Sequence, residues 1–181
     1  MRHAIHVIFG TLLCSALTAL GAESAQDTSV ACLDKSKVSN MLSPVELWKS
    51  IASCISSEKY DEGVFIYAMA GAFGAFDKLR VADKTAHQAT QVLLMVTFDS
   101  LPEDKVAAFQ SRVRQTFGNE STHKAYCKEI ESVGPPDYFP TYMVRHGLGA
   151  FPGANKNQPL VVPFDPHVAW PQAVKQYLLC P

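Results

Sequence analysis

Apolar positions recur along this chain with the three-to-four-residue spacing of helices. Nowhere do they show the sustained alternation of strands. Trp48, Ile51, Ala52 and Ile55 fall at i, i+3, i+4 and i+7, a single stripe that predicts a helix packed on a core. Ser43-Pro44-Val45-Glu46 just before it has capping-box spacing with proline at the first helical position. A second helix is expected from about Tyr60. From Val64 to Phe76 it is apolar almost all round, yet too short to span a bilayer, which marks it as the buried central helix. Ala68, Gly71, Ala72, Gly74 and Ala75 lack bulk there and let a neighbour approach closely. That packing must offset the low helix propensity of glycine, about 1 kcal/mol each.

A third helix is expected over roughly Ala82 to Phe98, with Val92 to Val96 as its most buried part. Ser100-Leu101-Pro102-Glu103 repeats the capping-box spacing and should open a fourth. Val106, Phe109, Val113 and Phe117 form its stripe, and Gly118 its end. A fifth covers about Glu120 to Val133, stopped by Gly134-Pro135-Pro136. A short sixth is expected over Pro140 to His146 and a last one near Pro171 to Leu179. Between them, Gly149 to Asp165 is rich in Pro, Gly and Asn, with one short extended piece at Leu160 to Val162. The fold class is therefore all-α: a single-domain helical bundle of about six or seven helices.

Residues 1–21 read as a signal peptide. Arg2 supplies the positive start, Ile5 to Leu20 the apolar run, and Ala19-Leu20-Gly21 the small residues at a cleavage site. Residues 22–42 then form an N-terminal arm and 43–181 the α-helical domain. The leader predicts a periplasmic location, with no membrane insertion after cleavage. Losing Arg2 moves the formal charge from −1 to −2, which gives no electrostatic case for nucleic acid. Cys32, Cys54, Cys127 and Cys180 remain, an even number that reads as two disulfides in an oxidising compartment. Of the three possible pairings, Cys32–Cys54 and Cys127–Cys180 are expected, tying the arm to the first helix and the tail to the fifth. The cysteines lack a C-x-x-C spacing or paired histidines, so neither a metal nor a cofactor is expected.

Lys59-Tyr60-Asp61-Glu62-Gly63 through Ala70 is similar to the turn and second helix of a tetratricopeptide or Sel1-type repeat, with Tyr60 and Tyr67 at its aromatic positions. The resemblance covers about Ser43 to Phe76, Gly63 departs from the usual alanine, and the pattern does not recur one period later. It implies one helical hairpin and not a repeat array.

Chemistry is sparse. Val144-Arg145-His146-Gly147 resembles the Arg-His-Gly element of histidine phosphatases. It follows five helices, however, and no arginine and a single histidine, His167, come after it, too few cations for a phosphate pocket. Asp83 and His87 stand four apart, as a local pair on one helix face would. With His146 they make the one catalytic alternative, a small metal-dependent hydrolase. The segment Gly134 to Tyr142 sets Tyr138, Phe139 and Tyr142 among prolines, a composition suited to protein contacts. The expected partner-binding residues are Asp137, Tyr138 and Phe139 here, with Asn155 and His167 in the later loop. In size, leader, near-neutral charge and lack of catalytic motifs, the mature chain resembles periplasmic immunity proteins of secreted, type VI-like antibacterial toxins. That resemblance implies a protein partner, no catalysis of its own, and blockage of an active-site mouth. A third reading is an envelope structural or peptide-binding module, which an exposed apolar groove along Tyr60 to Phe76 would favour.

Overall fold

A computed structural model describes residues 30–151 and 158–180. The expected signal peptide, the start of the arm and Asn155 lie outside the described residues. Among these there are seven α-helices: α1 Pro44–Ser56, α2 Tyr60–Arg80, α3 Ala89–Asp99, α4 Glu103–Gly118, α5 Glu120–Val133, α6 Thr141–Val144 and α7 Pro166–Leu178. Three short 3-10 stretches accompany them: Lys35–Lys37 in the arm before α1, Lys84–Gln88 between α2 and α3, and Leu148–Ala150 between α6 and α7. The described residues contain no strand, only one antiparallel bridge between Val81 and Leu160. None of their helices is long and apolar enough to cross a membrane.

The central helix is α2, as its pattern requires. Val64, Phe65, Ile66, Ala68, Met69, Ala70, Ala72, Phe73 and Phe76 are all buried. On it pack α1, α7 and α4, with α5 behind α7. The small residues do what their size permits. A Cβ placed on Gly71 would lie 1.9 Å from the Tyr177 ring of α7, and one on Gly74 would lie 2.7 Å from Thr90 of α3. Both expected disulfides form: Cys32–Cys54 fastens the arm to α1, and Cys127–Cys180 fastens the tail beyond α7 to α5. The arm is further held by buried Ser50, whose Oγ accepts from Leu33 N at 2.9 Å and donates to Ala31 O at 3.3 Å.

Three expectations about helices are corrected. The capping box forms at Ser43, where Ser43 and Glu46 cap each other, but not at Ser100. There the hydroxyl of Ser100 turns back to Thr97 O at 2.7 Å, and α4 begins behind an uncapped Pro102. The reason is the place of the proline. Pro44 restricts Ser43, which is extended in any case as an N-cap, whereas Pro102 bars Leu101 from the helical turn it would have to start. Second, α3 begins only at Ala89, and its centre is not its most buried part: Val92, Met95 and Val96 are 40%, 51% and 63% exposed. This helix leans on α1 through one side, Leu93, Leu94 and Phe98, with Phe98 edge-on to Trp48, and an all-round apolar helix does not announce which side that will be. Third, the last helix starts at Pro166, not Pro171. Asp165 caps it by accepting from His167 N and Val168 N, and Pro171 sits inside the second turn at the loss of one backbone bond.

A second, smaller apolar cluster lies beyond the end of α2. Val81, Ala86, Ala89 and Met143 are its buried members, flanked by Tyr142, Val144 and Leu160.

Candidate functional site

The segment joining α5 to α6 is held by a buried carboxylate. Asp77 stands in the last turn of α2, three residues before Arg80, so both side chains share one helix face. Asp77 is fully buried. Its Oδ1 accepts a hydrogen bond from Arg80 Nε at 2.8 Å. Arg80 Nη2 lies 2.7 Å from the same oxygen but is not aligned with it, and its N–H groups find no acceptor among the described residues. The guanidinium instead lies 5.0 Å from the ring centres of Phe76 and Tyr138. Asp77 Oδ2 accepts from two hydroxyls, Tyr138 and Tyr142, each at 2.9 Å. Burial pushes the Asp77 carboxyl above its ordinary value, against the pull of Arg80 and of the three hydrogen bonds. Burial and then the Asp77 charge push both tyrosine hydroxyls up, so each remains a donor.

Tyr138 and Tyr142 are four residues apart, and between them Phe139 and Thr141 are exposed while Pro140 is buried. Phe139 is 54% exposed although its neighbour Tyr138 packs on Phe73 in the core. On the other side the loop is fixed to the arm, with Asp137 N donating to Asn40 O at 2.8 Å and Asn40 Nδ2 donating to Pro135 O at 3.1 Å. Beside Phe139 is a dent of about 380 Å³ lined by Val45, Thr141, Tyr142 and Arg145.

A second carboxylate organises the other flank. Asp83 Oδ1 accepts from Thr85 N at 2.9 Å and Thr85 Oγ1 at 2.6 Å, and Oδ2 accepts from Gly149 N at 2.7 Å. Thr85 Oγ1 in turn accepts from Leu148 N at 2.9 Å. The Thr85 hydroxyl, with the Gly149 and Thr85 backbone donors, holds the Asp83 carboxyl below its ordinary value. Between this turn, α6 and the Val81–Leu160 bridge is a cavity of about 510 Å³. Arg145 borders both this cavity and the dent at Phe139.

The expected site residues are distributed unevenly over this geometry. Asp137 and Phe139 are exposed, and so is His167 in the first turn of α7, while Tyr138 faces inward to Asp77. Asp83 and His87 do not pair directly as the helical spacing suggested, because the residues between them form a 3-10 turn. The His87 Nε2 instead lies 3.1 Å from Val81 O, and His146 is exposed. Among the described residues, the one trio of ligand-type side chains close enough for a shared ion is His123, Cys127 and Cys180, whose cysteines are joined as a disulfide. Asp83, His87 and His146 form no such group. Two hollows border α2: one of about 130 Å³ beside Tyr177 and Thr90, and one of about 290 Å³ at Tyr67, walled by Leu94, Phe98, Phe109 and Val113. Sequence reasoning missed Asp77 and Arg80, and it weighed Arg145 only as part of the Arg-His-Gly element. An acid and a base three apart at the end of an otherwise apolar helix were the available signal for the first two.

No protein-family model matches this chain, and neither does any curated protein or solved structure.

Proposed function

We propose that this protein is exported to the periplasm and acts there as a non-catalytic binding protein, an immunity-type inhibitor that covers the active-site mouth of a secreted antibacterial toxin. Phe139 carries the reading. It is a large apolar ring presented to solvent on backbone whose neighbours, Tyr138 and Tyr142, are both tied to buried Asp77. Backbone held in place before binding loses little entropy on docking, and aromatic and arginine side chains dominate the energetics of protein interfaces. Arg145 lies beside the same dent as Phe139 and supplies the charged member of such a pair. The two disulfides support an oxidising compartment.

The test is co-expression with the product of each gene adjacent to this one, followed by size-exclusion chromatography and calorimetry. The expected result is a 1:1 complex. Phe139→Ala and Arg145→Ala should each weaken it by at least about 2 kcal/mol, roughly thirtyfold, with an unchanged melting temperature. No complex with any neighbouring product, or a complex indifferent to both substitutions, overturns the reading.

A further inference from the structure

Among its described lining residues, the cavity beside Asp83 has a largely apolar wall and one charge of each sign. At about 510 Å³ it falls within the range of small-molecule sites, roughly 300–1,000 Å³. Val81, Val144, Ala150 and Pro159 supply apolar surface, and Asp83 and Arg145 are the ionisable groups among its described lining residues.

The two charges differ in their freedom. Asp83 is fixed by three donors, two on Oδ1 and one on Oδ2. A carboxylate offers about four acceptor positions, so Oδ2, which lies against Gly147 and Gly149, takes one donor among the described residues and can accept another. Arg145 is exposed, and its side chain has no hydrogen-bond or ion-pair partner among the described residues. A simple anion entering here would meet the charge of Asp83, and a simple cation would meet that of Arg145. An uncharged apolar molecule would cover polar groups without replacing their hydration. A molecule with both charges on one apolar body answers Asp83, Arg145 and the apolar wall together.

We propose that this cavity binds a small zwitterion: an amino acid or short peptide with free ends, its ammonium on Asp83 Oδ2, its carboxylate on the Arg145 guanidinium and its side chain against Val81, Val144 and Pro159. The proposal shares Arg145 with the toxin-inhibitor reading, but its test uses this chain alone, so either can fail without the other.

The test is a titration of the full chain, followed by NMR at the methyl groups of Val81, Val144 and Ala150. The probes are L-leucine, L-alanyl-L-leucine, and the N-acetylated and C-amidated forms of that dipeptide. Saturable shifts at these methyls are expected with at least one of the two free-ended probes, at a Kd below about 1 mM. L-leucine against the dipeptide separates an amino-acid ligand from a peptide ligand. Capping either end, or Arg145→Gln, should weaken binding at least about tenfold. Arg145 is exposed, so the variant is expected to keep the helical content of the parent by circular dichroism. Should it fail to fold, the capped probes still decide. No saturable shift with either free-ended probe overturns the proposal, as does a capped dipeptide that binds as well as the free one.

Discussion

Along the first two-thirds of α2 the protein is held by volume and covalent bonds. Phe65, Ile66, Met69 and Phe73 are buried in the main apolar cluster, Phe65 against Tyr126 of α5 and Phe73 against Trp170 of α7, and the disulfides fasten the arm and the tail. Past Phe76 the means change. The apolar cluster of Val81, Ala86, Ala89 and Met143 is small, and the backbone around it is positioned by two carboxylates, Asp77 and Asp83, that gather hydroxyls and amides from distant segments. Apolar packing tolerates modest rearrangement, whereas a hydrogen-bonded carboxylate specifies where its partners lie. The candidate binding surfaces both border the second region.

The largest test of this contrast is Asp77→Ala. It leaves Arg80 buried without a counter-ion and should cost about 3–5 kcal/mol. Hydrogen exchange should show amides at Val81 and Met143 losing protection before those at Ile66 and Met69; equal loss everywhere would mean that the two regions unfold as one unit. Replacing Asp77 and Arg80 together by leucine should recover part of the stability, because no isolated charge then remains. Removing the Cys127–Cys180 bridge by a double alanine substitution should cost about 4 kcal/mol for a loop of 53 residues. Here the melting temperature should fall with the local protection at Met143 relative to Ile66 unchanged. Tyr142→Phe removes one of two hydroxyls on Asp77 Oδ2 and should cost about 1 kcal/mol. Its effect on exchange should stay within residues 138–150. The smallest effect concerns Asp83. Its carboxyl titrates below 3.8 in the folded chain, so the stability it contributes is present above 3.8 and is lost as pH falls through the lower folded value. The Gly149 amide shift should report that titration, with a midpoint under 3.8.

How far the sequence reveals the fold depends on whether its cues are local. Ser43 and Ser100 show the same four-residue cue, and only the proline position separates a real cap from a false one. The buried run of α2 was legible because it is apolar where neighbours on several sides must cover it. The equally apolar α3 was misjudged because it has neighbours on one side only. The expected disulfide pairing forms, but it was one of three connectivities that the sequence leaves open, and only the fold chooses among them. The Asp77 network was not legible, since it joins residues 61 and 65 positions apart, and local spacing carries no information about such a meeting. Phe139 was singled out from its proline-rich context, but that its two tyrosine neighbours turn inward while it turns outward required the fold.

The close fit of Tyr177 over Gly71 has an evolutionary corollary. No side chain fits at 71 while that ring stands where it does, and a smaller residue at 177 would open a gap beside α2. The two positions are therefore epistatic: bulk becomes admissible at 71 in lineages that have first shrunk 177, and the reverse order passes through a poorly docked α7.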